Sequence, residues 1–113
     1  MNKERLKFED FKGGWLVGSF VPNLFNRKDV EVGVKYLEEG FIDEAHFHKL
    51  STEFNLVIYG KIKLESGETV SKGDFFIYKP NQISKTKVLE SSCVLVIRDS
   101  SHPDDKYLEN DSL

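Results

Sequence analysis

The chain has 113 residues, of which 39% are hydrophobic, 31% charged and 12% aromatic. That is the size of one domain and the composition of a packed chain rather than a disordered one. Its 16 Lys and Arg against 19 Asp and Glu leave a net charge of −3, and no basic stripe gathers the cations, so nucleic acid is not an expected partner. No apolar run reaches the length of a membrane span. The charged start Met1-Asn2-Lys3-Glu4-Arg5 is followed by no apolar segment of the kind a signal peptide carries. Cys93 is the single cysteine. It cannot form an internal disulfide, which fits the reducing cytoplasm, and its place at the head of an apolar run reads as a buried structural thiol.

Residues 1–12 are mixed and charged and read as an N-terminal leader. From there to residue 100 the chain alternates short β-type runs with turn residues. Trp15 to Val21 is the first run, stopped by Pro22-Asn23. Asp29 to Leu37 alternates, with Val30, Val32, Val34 and Tyr36 on one face and Glu31 and Lys35 on the other. Gly40 is a turn, and Asp43 to Lys49 is the next extended piece. Phe54 to Leu64 is the longest strand signal, interrupted at Gly60 by a kink, bulge or turn. Ser66-Gly67, Lys72-Gly73-Asp74 and Pro80-Asn81 are further turns around the strand Phe75 to Tyr78. Ile83 to Leu89 and Cys93 to Arg98 close the series. Residues 101–113 form a polar tail. The chain leaves no room for the crossover helices of an α/β fold, so an all-β sandwich or barrel is expected.

One cluster carries chemistry. His46-Phe47-His48 lies in an extended stretch, and strand side chains alternate, so both imidazoles project into one space. Glu53 follows after Lys49-Leu50-Ser51-Thr52 and can face them from the next strand. Two imidazoles and a carboxylate suit a divalent transition metal such as Zn, Fe(II), Mn or Ni.

The flanks of this cluster sharpen it. From Gly40 to Gly60 the spacing of glycines, histidines and Glu53 resembles the first motif of the cupin superfamily at every fixed position. Gly73 to Ser84 is similar to the second motif, with the Lys79-Pro80 step where cupins carry proline and Asn81 in place of a glycine, a swap that Asn tolerates because it adopts positive φ. The resemblance implies a double-stranded β-helix, a jelly-roll barrel, over residues 13–100. It also implies a metal held by His46, His48 and Glu53. The departure is Ser84, which stands where the second motif supplies a further histidine, and a neutral hydroxyl is a poor ligand for such metals. The expectation is therefore a polar pocket in which a divalent metal is optional.

If Ser84 points inward as the corresponding cupin histidine does, parity turns Gln82 and Thr86 inward with it, and Asn55 follows Glu53. The expected lining is His46, His48, Glu53, Asn55, Gln82, Ser84 and Thr86, too polar to be left without water or a ligand. His102, in the polar tail, is not expected to join it. Trp15, Phe20, Phe75 and Phe76 are assigned to the core or to a dimer interface. Nine Phe exceed the needs of so small a barrel, so an outer sheet face covered in a homodimer is expected. Three functions fit this sequence. The leading one is a small-molecule-binding cupin taking a polar ligand such as an organic acid or sugar. The others are a metal-free isomerase or epimerase of nucleotide-linked sugars, which the stretch His46-Phe47-His48-Lys49 somewhat resembles, and a non-catalytic ligand-binding module.

Overall fold

The computed structural model describes residues 5–109. It contains nine strands, a 3-10 turn at Phe8–Asp10 and no α-helix among the described residues, and hence no helix long and apolar enough to cross a membrane. The strands are β1 (Trp15–Gly18), β2 (Phe25–Asn26), β3 (Glu31–Leu37), β4 (His46–Phe47), β5 (Glu53–Lys63), β6 (Thr69–Ser71), β7 (Phe75–Tyr78), β8 (Lys87–Arg98) and β9 (Tyr107–Leu108).

The main sheet runs β2-β1-β3-β8-β5-β6, and β7 pairs with the first half of β5. β4 and β9 form a second, two-stranded sheet. Isolated bridges tie His46 to Ser84 and Ile42 to Lys87, so the β4 segment lies against the stretch that leads into β8.

Two turn residues behave as their chemistry requires. Asn81 takes φ 71°, the left-handed region that Asn enters more easily than other non-glycine residues. Gly60 takes φ 102°, and a Cβ there would sit 2.0 Å from Ser92 Oγ. β5 continues through Gly60, with its register against β8 shifting between Val57 and Ile62, so the interruption is a bulge inside one strand. Opposite it, Ser91-Ser92 reads as a break in sequence, yet β8 runs unbroken. Ser92 Oγ accepts from Lys61 N at 3.0 Å and donates to Glu90 O at 2.6 Å, which satisfies the backbone that the bulge leaves unpaired.

The apolar core gathers Val57, Ile62, Val70, Val94 and Val96, with Trp15, Leu37, Leu64 and Phe76 packed against it. β3 breaks the usual expectation. Its charged face points in and its valine face points out: Glu31 is buried at 2% exposure, whereas Tyr36 is 62% exposed. The barrel also extends past residue 100. Asp105 accepts from the amides of Lys49 and Leu50 at 2.9 and 3.0 Å. Tyr107 stacks on Phe47 with ring centroids 5.6 Å apart. The tail is thus the partner of the His46 strand, held by the β4-β9 pairing and by the Asp105 carboxylate. At the other terminus, Phe8 sits edge-on to Tyr36 at 5.3 Å, so the leader is packed as well.

Candidate functional site

Antiparallel register decides which side chains meet. Glu31 pairs with Arg98, Arg98 with Glu53 and Glu53 with Tyr78, across β3, β8, β5 and β7. Paired residues project to the same side, so three charges from three strands converge inside the barrel.

Arg98 is their centre. It donates to Glu53 Oε2 from Nε at 3.0 Å and from Nη2 at 2.9 Å, and to Glu31 Oε1 from Nη1 at 2.8 Å. The second oxygen of Glu31 accepts from Ser101 Oγ at 2.8 Å. The second oxygen of Glu53 accepts from Asn55 Nδ2 at 3.3 Å, and Asn55 also donates to Phe76 O at 3.2 Å. Burial opposes the charge on Glu53, but the Arg98 guanidinium and these hydrogen bonds hold its carboxyl below the usual range. Arg98 also lies 4.5 Å from the Trp15 ring centroid, and Lys35 Nζ lies 4.2 Å from the same ring, in cation–π range. Lys35 donates to Gly13 O. Burial, with the charge of Arg98 second, lowers its pKa to about 8.

The histidines sit beside this cluster. Their rings meet edge to face at 5.4 Å. His46 Nδ1 is 2.9 Å from Glu44 O. A carbonyl only accepts, so Nδ1 carries the hydrogen and Nε2 is the bare nitrogen of the neutral ring. His48 Nε2 is buried with no hydrogen-bond partner and stands 4.0 Å from Glu53 Oε2. Burial, then repulsion from Arg98, lowers the His48 pKa to about 4, so this ring is neutral at physiological pH.

A cavity of about 350 Å3 opens onto His46, Glu53, Ser84, Thr86, Arg98 and Lys35. Asn55 is buried behind Glu53 and acts on its carboxylate. His48 is buried behind the same wall. Gln82 lies outside the cavity, contrary to the expected lining. It is exposed, and its Oε1 accepts from Lys79 N at 2.6 Å, closing the Pro80-Asn81 turn. Strict alternation fails before Ser84 because residues 79–82 make a turn, closed by Gln82 N donating to Lys79 O at 3.1 Å, and residue 83 is not in a strand. His102 is exposed and away from the cavity.

The donor set does not fit a metal centre. Ser84 supplies no imidazole, and both oxygens of Glu53 are engaged by Arg98 and Asn55. A divalent cation at Glu53 would also stand next to a fixed guanidinium charge. Among the described residues, no three His, Cys, Asp or Glu side chains gather as a metal ion requires. Sequence reading missed Lys35, Arg98 and Trp15 as wall residues and Glu31 as the buried partner of Arg98. The apolar run Cys93 to Ile97 shows no alternation, so nothing in it tells which way Arg98 points.

No protein-family model matches the chain, and no curated protein sequence matches it. Solved structures do. A Klebsiella pneumoniae protein with a double-stranded β-helix domain aligns with TM-score 0.66 and 19% identity, over 75% of this chain and 74% of that one. The DMSP lyase DddQ from Ruegeria pomeroyi aligns with TM-score 0.71 and 16% identity, over 96% of this chain and 61% of that one. Bacillus subtilis oxalate decarboxylase, whose structure was studied for its Mn(II) centres, aligns with TM-score 0.61 and 22% identity, over 73% of this chain and 24% of that one. The chain has the double-stranded β-helix fold of these cupin-type proteins.

Proposed function

We propose that this cupin barrel binds a small polar molecule in its interior cavity without a resident metal, and that His46 is the group able to exchange a proton with it. The observation that supports this reading is the Arg98 bridge between Glu31 and Glu53, beside a cavity of about 350 Å3. At ~30 Å3 per water-sized group, that space takes a ligand of roughly a dozen heavy atoms. Lys35, Arg98 and Lys106 face Asp43 and Glu53 on the wall, one cation in excess, and Ser84 and Thr86 add hydroxyls. An organic acid or a free sugar matches such a wall in size and polarity.

His46 is built for proton exchange. Its Nδ1 is anchored on Glu44 O, which leaves Nε2 to accept a proton from a bound ligand and to return it. This favours acid–base chemistry carried by the chain's own side chains. The nucleotide-linked sugar reading has less support. Lys49 lies over the Tyr107 ring at 4.2 Å, outside the cavity wall.

The test has two arms. Protein dialysed against Mn, Fe, Ni or Zn and then washed should retain under about one tenth of an equivalent by elemental analysis. A panel of small organic acids and sugars should contain ligands that raise the melting temperature, and His46→Ala and Thr86→Ala should remove that rise. Stoichiometric metal retention overturns the metal-free assignment. No thermal response to any panel member overturns the ligand-binding one.

A further inference from the structure

Lys35 is the cation that the bridge between Glu31 and Glu53 leaves out. Register sets Lys35 opposite Val94 and Val94 opposite Val57. Both valines belong to the core, so the Lys35 side chain leaves β3 on the inner side. Two residues earlier Gly33 has no side chain, and the Trp15 ring takes that place: a Cβ at Gly33 would sit 2.7 Å from Trp15 Cε3. The same ring carries two cations, Lys35 Nζ 4.2 Å and the Arg98 guanidinium 4.5 Å from its centroid. Arg98 is answered by Glu31 and Glu53. Lys35 has no carboxylate within ion-pair distance among the described residues, and its hydrogen bond goes to Gly13 O. A half-buried amine beside a second cation gives up its proton more easily than a solvated one. Burial first and Arg98 second bring Lys35 to about 8, with Lys106 adding to Arg98 and with Glu53 and Glu31 pulling the other way.

Lys35 lines the cavity that also holds His46 and Lys106. Lys106 has no carboxylate within ion-pair distance among the described residues either. The wall thus offers a nucleophilic nitrogen, a proton-exchanging imidazole and a cation free to meet an anion. We infer that Lys35 is a nucleophile that forms an imine with a small 2-oxo acid held in this cavity, an inference that rests on the ligand-binding reading above and names its ligand class. The neutral amine keeps one N–H on Gly13 O and has its lone pair free. The lone pair forms a C–N bond to the keto carbon, and the C=O π pair moves to oxygen. His46 Nε2 takes a proton from the new ammonium nitrogen and returns it to that oxygen, which gives a carbinolamine. The nitrogen lone pair then forms C=N as the C–O bond breaks, and the departing hydroxide takes the second N–H proton and leaves as water. Amine and keto acid give imine and water, with no oxidant or reductant. A free sugar is the poorer match, because its carbonyl is masked as a hemiacetal and it brings no charge to Lys106.

Reductive trapping tests this on the full chain. The wild type is incubated with pyruvate or 2-oxobutyrate near neutral pH, reduced with cyanoborohydride and mapped by peptide mass spectrometry. The Lys35 peptide should gain the mass of the acid less one oxygen, since hydride reduces the C=N that replaced C=O. Labelling at Lys35 should exceed that at any other lysine at least about tenfold, because a pKa of about 8 leaves far more free amine than the ~10.4 of a solvated lysine. Lactate fits the same site and has no keto carbon, so an excess of it should protect Lys35 and no other lysine. The map needs no variant, so it stays decisive whatever a substitution does to folding. A Lys35 label no stronger than that of the surface lysines overturns the inference. If the keto acid still raises the melting temperature in that case, the ligand-binding reading stands without it; no label and no thermal response removes both. A selective Lys35 label that lactate leaves untouched also overturns it, since the amine would then be reactive without a keto-acid site.

Discussion

The two faces of the sheet formed by β3, β8, β5 and β7 differ by one residue along each strand and by nearly everything in chemistry. Inside, the row Glu31–Arg98–Glu53–Tyr78 is buried and charged. One residue on, Val32–Ile97–Phe54–Ile77 is outside and apolar. Folding normally puts the second kind of row inside. This barrel does the reverse at one end and keeps the usual order at the other, where Val57, Ile62, Val94 and Val96 form the core. The inversion is affordable only if the inner charges satisfy one another and the outer face finds cover. Arg98 does the first.

Removing Arg98 should therefore break the inner face most severely. Arg98→Met leaves Glu31 and Glu53 buried without their cation, and the cost should be about 3–5 kcal/mol. Urea denaturation at pH 7 measures it. Adding Glu31→Gln and Glu53→Gln to the same chain should recover most of the loss, because no uncompensated charge is left. A loss below about 1 kcal/mol for the single change would mean that water already solvates both carboxylates.

The buried His48 gives the next largest effect, and its sign is fixed. Its pKa falls from an ordinary value of ~6.5 to about 4 on folding, so the folded state prefers the neutral ring. The resulting stability is complete above pH ~6.5 and is lost as pH falls from there to about 4, by up to about 3 kcal/mol. Glu53 acts in the same direction, since its lowered pKa also withdraws stability as it protonates. His48→Leu should keep most of the stability at pH 7, because His48 Nε2 has no partner to lose. It should flatten the unfolding curve between pH 6.5 and 5, above the range where Glu53 titrates. An unchanged pH profile in that variant would assign the acid sensitivity elsewhere.

How much of this was legible follows from which signals are local. The β class, the turn at Asn81 and an interruption at Gly60 are written in spacing and turn chemistry, and the fold agrees. The alternation of β3 was legible too, but alternation separates two faces without saying which one is inside. That choice is made by register, through Glu31 opposite Arg98 and Arg98 opposite Glu53, residues 31, 98 and 53 in the chain. No local pattern encodes such a meeting. In the tail, Tyr107 is the residue whose apolar ring offers a way back onto the barrel, and it stacks on Phe47. The role of Asp105 was not legible, because it looks like a solvated carboxylate until Lys49 N and Leu50 N are placed beside it.

A paired substitution sharpens the comparison at intermediate size. Asn55→Leu puts an apolar side chain on the inner face and removes the donor to Glu53 and to Phe76 O, at a cost of about 1–3 kcal/mol. Ile77→Thr puts a hydroxyl on the outer face, on an edge strand where it meets water, and should cost under about 1 kcal/mol. The apolar change inside should thus be worse than the polar change outside. The opposite order, read from urea midpoints, would show that the inner face behaves as an ordinary core.

The smallest effect marks where the inner face stops. Gln82 lies two residues before Ser84, and uninterrupted strand parity would make it part of the cavity. Its Oε1 instead accepts from Lys79 N across the turn at Asn81. Gln82→Ala removes one exposed hydrogen bond and should cost about 0.5–1 kcal/mol, with the ligand-induced rise in melting temperature intact. Ser84→Ala and Thr86→Ala change residues that line the cavity and should diminish that rise. The contrast separates a residue that shapes the turn from residues that face the ligand. Loss of the ligand response in Gln82→Ala at unchanged stability would extend the wall into the turn and restore the parity reading there.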